Sequence, residues 1–281
     1  MEKLIITVAL TGNVPTKKMN PNLPVTPAEI AADVTACADA GACLFHVHAR
    51  DQEQMPTLDL AVYKRIAAAI KKTAPNVILQ LSTGARAGTD QEARVNPVRL
   101  LPEMASFTTG SNNLPGIVYA NAPKFIEYLA TVFRDTGVKP EIEVFEAGMI
   151  NNARFLHKRG LIGLPLHFDF VLGAPGAMPA SVRNLVFLSE SIPSDSTWTV
   201  AGIGKAEIPM ATAAIVMGGH VRVGLEDNLR MPDGSPAANP RLVEKVVAIA
   251  REVGRDIASP AEARRILCLD PERKNRILSE I

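Results

Sequence analysis

The sequence predicts an α/β protein, a single-domain (β/α)8 TIM barrel with a short C-terminal helical extension, and three observations lead there. Eight strand-like segments, near 4–11, 43–49, 77–83, 104–109, 140–146, 164–172, 197–203 and 220–226, alternate with helix-like ones. One face of nearly every strand-like segment is polar and the other apolar, whereas an open sheet covered by helices on both faces would carry almost continuous apolar strands. No linker or shift in composition divides the 281 residues. A closed barrel satisfies all three, with one face turned to the lumen and the other to the surrounding helices. The barrel is expected over about residues 1–256 and the extension over about 257–281.

The elements follow in order. In the first strand Leu4, Ile6, Val8 and Leu10 make the outward face, and Thr7 and Thr11 the inward one. Thr26-Pro27-Ala28-Glu29 opens the first helix with a capping box and a proline at its first position, and Gly41 stands where the helix should close. His46 and His48 face inward on the second strand, Gln80 and Ser82 on the third. The third β/α unit has the weakest helix, a short one around Val98 to Leu101. Inward pairs continue with Ser106 and Thr108, Glu141 and Glu143, His167 and Asp169, Thr197 and Thr199, and Arg222 and Glu226. Leu166, Phe168 and Phe170 supply the outward face of the sixth strand. Asn239-Pro240 opens the helix after the eighth strand, where Leu242, Val246, Val247, Ile249, Ala250 and Val253 recur at helical spacing before Gly254. Ser259-Pro260-Ala261-Glu262 opens one more short helix. Past Asp270, the charged Glu272, Arg273, Lys274 and Arg276 suggest an exposed or subunit-contacting helix.

Composition removes several classes of function. With 47% hydrophobic residues, 21% charged residues and a net charge of +1, the chain has the material for a large core and no block of basic residues for nucleic acid. The apolar run Leu4 to Leu10 is too short for a signal-peptide core, and no stretch reaches the length of a membrane span. Three cysteines, Cys37, Cys43 and Cys268, without C-x-x-C spacing indicate neither a disulfide framework nor a zinc finger, so a reducing cytoplasm is expected.

Chemistry concentrates at Phe45-His46-Val47-His48. Residues i and i+2 of an extended chain share a face, with Cα atoms about 7 Å apart, so the two imidazoles are presented together as a pair of metal ligands. In a barrel the first strand neighbours both the second and the eighth, which brings Glu226 within reach as the third ligand. Two imidazoles and one carboxylate leave an open coordination position, the arrangement of catalytic zinc, although Mn²⁺, Fe²⁺ or Co²⁺ would fit the same donors. The plainer alternative makes Glu226-Asp227-Asn228 a polar turn that caps the next helix. Arg222 shares the inward face of Glu226, and a buried guanidinium there needs a carboxylate; Glu141, Glu143 and Asp227 are available. Asp227 has the opposite parity from Glu226, so it joins them only if the chain turns at the strand end. Ser82 ends the third strand with a hydroxyl, and Gly84 permits close approach of a ligand; Ser106, Thr108 and Glu143 are similarly placed. Gly202-Ile203-Gly204-Lys205, after the seventh strand, stands where barrels bind phosphate.

Gly41-Ala42-x-x-x-His46-x-His48-x-Arg50, Ser82-Thr83-Gly84 and Val223-Gly224-Leu225-Glu226-Asp227-Asn228 together resemble the β-keto acid cleavage enzymes. The resemblance covers essentially the whole chain and extends to Ile6 through Gly12, Pro24 through Ile30 and Gly202 through Lys205. It implies a zinc-containing TIM barrel, usually a homotetramer, that reacts a β-keto acid with acetyl-CoA to give acetoacetate and a new CoA thioester. It also implies that His46, His48 and Glu226 hold a metal that binds the keto acid through its keto and carboxylate oxygens, and that Asp227 with Arg222 removes a proton from the carbon between the carbonyl and the carboxylate. Ser82, Gly84, Ser106, Thr108 and Glu143 would then receive substrate, and Gly202, Gly204 and Lys205 would anchor CoA.

One departure bears on the substrate. Members acting on amino substrates carry an acidic residue shortly after the first Thr-Gly, whereas this chain has Asn13-Val14-Pro15. The expected substrate is therefore another β-keto acid, with a neutral tail, although Glu143 argues the other way if it faces that tail. Two other classes stay open from sequence: a metal-dependent barrel hydrolase of the amidohydrolase kind, with His167 and Asp227 in its further roles, and a non-catalytic metal- or CoA-binding protein.

Overall fold

Alternating residue character builds the core of the structure, a computed structural model that describes residues 1–84, 89–114 and 116–270. Strands β1 (Ile6–Ala9), β2 (Leu44–Val47), β3 (Ile78–Leu81), β4 (Met104–Thr108), β5 (Lys139–Val144), β6 (His167–Leu172), β7 (Thr197–Gly202) and β8 (His220–Val223) pair in chain order, and β8 closes on β1. Every pairing is parallel. Each predicted segment supplies one barrel strand, shorter than expected in every case, and β5 starts one residue early, at Lys139. The outward residues Leu4, Ile6, Val8, Leu10, Phe168 and Phe170 are fully buried in one cluster with Ile30 and Val34 of α1 (Pro27–Ala40) and Leu242 and Val246 of α8 (Asn239–Glu252). Burying each such side chain contributes about 1.5–3 kcal/mol, and a one-residue slip would turn all of them into the lumen.

Along the lumen the inward residues change from apolar to polar. At the N-terminal ends of the strands Ile5, Leu44, Ile78 and Met104 pack against Ala263 and Leu267 of α9 (Pro260–Ile266) and its exit, so the extension plugs the barrel floor. Arg264 secures the plug: it pairs in two-pronged fashion with Glu103 at 2.6 and 2.7 Å and donates to the carbonyls of Asn76 and Val77. Above this floor lie Thr7, His46, Gln80, Ser106, Glu141, Asp169 and Arg222, all buried. Chemistry is thereby directed to the C-terminal mouth.

Helices start where the capping residues stand. Thr26 Oγ1 accepts the Glu29 N–H while Glu29 Oε2 accepts the Thr26 N–H, and Ser259 with Glu262 repeats the motif at α9. The other helices are α2 (Leu60–Thr73), α3 (Gln91–Arg99), α4 (Pro123–Thr136), α5 (Gly148–Lys158), α6 (Val182–Ser191) and α7 (Glu207–Met217). Helix α3 differs from expectation: it begins earlier, at Gln91, and ends before Leu101, whose φ of 58° breaks it. Its apolar stripe is thin because Arg94 fills a buried position with a guanidinium. Two short hairpins, Ala49–Arg50 with Pro56–Thr57 and Asn112–Leu114 with Ile117–Tyr119, follow β2 and β4 beyond what the sequence predicts. The charged residues past Asp270 lie outside the described residues. Among those described, no helix is long and apolar enough to cross a membrane.

Candidate active site

His46 sits on β2 beside Ala9 of β1 and Gln80 of β3, and His48 follows at the strand end. Their Nε2 atoms lie 3.2 Å apart, at 3.7 and 3.4 Å from the two carboxylate oxygens of Glu226. The outer nitrogens are held as well. His46 Nδ1–H donates to Gln80 Oε1 at 2.6 Å, and His48 Nδ1–H donates to Asn13 Oδ1 at 3.0 Å. Asn13 donates its amide to the Gly84 carbonyl, which orients its oxygen toward His48. Both Nε2 atoms therefore turn lone pairs toward each other and toward a carboxylate. Glu226 Oε2 is buried with no hydrogen-bond partner. Three convergent donors and an orphaned oxygen fit a divalent cation, and no other group of His, Cys, Asp and Glu among the described residues meets in this way.

Charge supports the same reading. Burial pushes His46 down to about 4, only partly offset by Glu226, so its imidazole stays neutral and able to ligate. Burial works to raise the Glu226 carboxyl, but His48, Arg222 and His46 outweigh it and hold the carboxyl well below the usual range. Gly12 makes the packing feasible: a Cβ there would lie 2.6 Å from Glu226 Cγ, and its φ of 67° suits glycine.

Arg222 is the hub beside this cluster. Its Nε and Nη2 bond both oxygens of Asp227 at 2.8 and 3.0 Å, Nη2 also lies 3.0 Å from Glu226, and Nη1 lies 3.3 Å from Asp169. The parity problem of Asp227 is solved by a turn. The strand stops at Val223; Gly224 has φ 149°, and its carbonyl accepts the N–H groups of Asp227 and Asn228, which swings Asp227 back onto Arg222. Burial raises the Asp227 carboxyl above the ordinary aspartate range, with Arg222 opposing and Glu226 adding to the rise. A carboxylate so placed is more basic than one in water.

Glu143 and Thr108 face each other in register on β5 and β4, and Thr108 Oγ1 donates to Glu143 at 2.6 Å. The other Glu143 oxygen lies 3.7 Å from Arg222, and Tyr119 reaches Thr108 at 3.3 Å. Ser82 Oγ accepts the Gly84 N–H at 3.1 Å, and Gly84 stands beside His48 and Tyr119. Ser106 is committed deeper, accepting the Thr83 N–H. Gly204 and Lys205 line a cavity of about 860 Å³ together with Glu226, Asp227, Val14 and Arg230. Gly202 is not on that lining; a Cβ there would lie 2.5 Å from the Ala206 carbonyl, so its role is close packing. Asn13, Gln80, Asp169 and Tyr119 join the site without having been singled out for it from sequence. Only the parity of Gln80 and Asp169 pointed inward.

The remaining histidines lie elsewhere. His157, on α5, bonds the Ile162 carbonyl through Nδ1, His220 Nδ1 accepts the Ile5 N–H near the barrel floor, and His167 Nε2 lies 3.3 Å from Glu141. None of them joins His46 and His48, as a hydrolase of the amidohydrolase kind would need.

A family model described as beta-keto acid cleavage enzyme matches residues 3–269. The chain is 48% identical over 271 residues to the 3-keto-5-aminohexanoate cleavage enzyme of Fusobacterium nucleatum subsp. nucleatum, covering 96% of this chain and 99% of that one. It is 40% identical over 269 residues to the 3-oxoadipate:acetyl-CoA acetyltransferase of Cupriavidus necator, covering 94% of each. Among solved structures, the apo structure of ObcA aligns with a TM-score of 0.78 and 24% identity over 89% of this chain and 66% of that one, a likeness of fold.

Proposed function

The chain belongs to the beta-keto acid cleavage enzyme family, and from that premise we propose that it condenses a β-keto acid with acetyl-CoA and cleaves the adduct to acetoacetate and a new acyl-CoA. The observation that carries this reading is the meeting, at one barrel mouth, of the His46–His48–Glu226 cluster, the Arg222–Asp227 pair and a cavity of about 860 Å³. When bound there, a divalent metal, Zn²⁺ by its donor set, supplies Lewis-acid stabilisation of the negative charge that develops on the keto acid.

The protein's own groups do the rest. Asp227, raised by burial and held on both oxygens by Arg222, takes a proton from the carbon between the carbonyl and the carboxylate. Ser82 already accepts the Gly84 N–H, so its hydroxyl proton is directed to the substrate carboxylate. Gly84, Thr108 and Glu143 form the wall around the keto acid, with Ser106 bracing Thr83 behind it. The carbanion then attacks the acetyl carbonyl and CoA leaves it; the CoA sulfur adds to the neighbouring keto carbon, the bond from that carbon to the former carbanion carbon breaks to give the new acyl-CoA, and the proton held by Asp227 returns to the former carbanion carbon as acetoacetate is released. Lys205 and Gly204 on the cavity rim hold the CoA arm, and Gly202 lets that loop pack.

The substrate tail is uncharged in this reading. Val14, 72% exposed, stands on the cavity where an acid would be needed for an ammonium, and Glu143 is already engaged by Thr108. With acetyl-CoA fixed, kcat/KM is expected to favour neutral-tailed β-keto acids over the 5-amino acid by about 10-fold or more, the loss expected when a charge lacks its partner. A preference for the amino acid would contradict this part.

The same proposal places the protein in the cytoplasm as a homotetramer, with the barrel as one domain over about residues 1–256. Free thiols at Cys37, Cys43 and Cys268 and the exposed apolar side chains Phe155, Val182 and Phe187 support it.

A further inference from the structure

Residues 224–228 carry Glu226 and Asp227 on a turn beyond the end of β8, where a single backbone bond to β1 remains, from Glu226 N–H to the Ala9 carbonyl at 3.1 Å. A carboxyl from outside the site adds to it. Glu207, the first residue of α7, is fully buried, and one of its oxygens accepts the Gly224 N–H at 2.8 Å while the other accepts the Asn228 side-chain amide at 2.9 Å. A single side chain thus spans both ends of the turn. Asn228 cannot turn its amide over, because its nitrogen also donates to the Arg230 carbonyl and its oxygen accepts the Arg230 N–H. Between these ends, Leu225 N–H donates to Asn239 and the Asp227 carbonyl accepts the Gly204 N–H at 2.8 Å. Burial pushes the Glu207 carboxyl up to about 8 in spite of its two donors, so the fold keeps this group in its interior at a cost.

We propose that Glu207 is a positioning residue for the base: it locks the 224–228 turn so that Asp227 lies against Arg222 and faces the substrate. Without it, Gly224 N–H and the Asn228 amide lose a shared anchor, both ends of the turn can shift, and the aim of Asp227 is left to Arg222 and to the backbone contacts of the turn with Gly204, Asn239 and Ala9. The proposal rests on the reading of Asp227 as base.

The test isolates proton abstraction. Exchange of the C2 protons of acetoacetate for solvent deuterium is followed by NMR without acetyl-CoA, together with metal content and acetoacetate affinity. The wild type is expected to exchange well above the uncatalysed rate and Asp227→Asn at background. Metal-loaded Glu207→Ala is expected to exchange about 10-fold or more slowly, with affinity changed less than about 3-fold, as when an oriented group is freed without loss of binding. Glu207→Gln keeps an acceptor for Gly224 but sets an amide against Asn228, and is expected about 3-fold or more slow. Wild-type exchange per metal-loaded molecule in Glu207→Ala overturns the proposal; if that variant does not fold, the same result in Glu207→Gln does. Absence of enhanced exchange in the wild type itself overturns the base assignment and this proposal with it.

Discussion

In the His46→Ala protein, bound metal is expected to fall to background and turnover to drop by about 1,000-fold or more, the scale of losing a Lewis acid from the transition state. His46 is fully buried, and two others depend on it: Gln80 Oε1 loses its donor, and His48 Nε2 loses the partner with which it faces Glu226. Two donors then remain of three, too few for a catalytic site. The barrel itself should persist, because the outward face of β2, Phe45 and Val47, is untouched. Metal analysis and kcat on the same preparation check this. Full metal content with lost turnover would make His46 a substrate group instead of a ligand.

Asp227→Asn is expected to keep its metal and lose turnover by about 100- to 10,000-fold, the range supplied by general base catalysis. Asparagine has nearly the same shape and can still accept one bond from Arg222, but it cannot take a proton. The Arg222 guanidinium retains Glu226 and Asp169, so its charge stays compensated. A dependence on pH belongs to the same residue. Asp227 must be ionised to act, and burial raises its pKa, so wild-type kcat/KM should rise with pH through a limb above the usual aspartate range and fall as acid protonates it. Residual activity in Asp227→Asn should lack that limb. Activity within a few-fold of wild type would assign the base elsewhere.

The legible parts of this site are those that extended backbone controls. His46, His48, Gln80, Glu143 and Arg222 follow from a side-chain period of two, and Glu226 from the closure of β1 between β2 and β8. Asp227 escaped that rule because a glycine turn, not strand parity, aims it; a Cβ on Gly224 would lie 2.2 Å from the Ala9 carbonyl, a contact no periodicity encodes. Glu207 was hidden for a related reason. At the start of a helix an acid usually faces solvent and favours the helix dipole, and only the three-dimensional return of residues 224–228 turns it inward. Asn13 orients His48 from a loop, across 35 residues of sequence. The sequence places helix α3 too late because Arg94, bonded to Thr83, Ala120 and Asn121 and set over the Phe125 ring, occupies a position where an apolar residue would mark the helix.

A carbon tracer tests the central claim most directly. Acetyl-CoA labelled with carbon-13 at both acetyl carbons is incubated with the protein, its metal and an unlabelled β-keto acid, and the products are resolved by mass and NMR. The proposed route forms one carbon–carbon bond and breaks another. The label should therefore appear at C3 and C4 of acetoacetate, with C1 and C2 drawn from the keto acid and the new acyl-CoA unlabelled. Label recovered as free acetate, or keto acid consumed without labelled acetoacetate, would contradict the account.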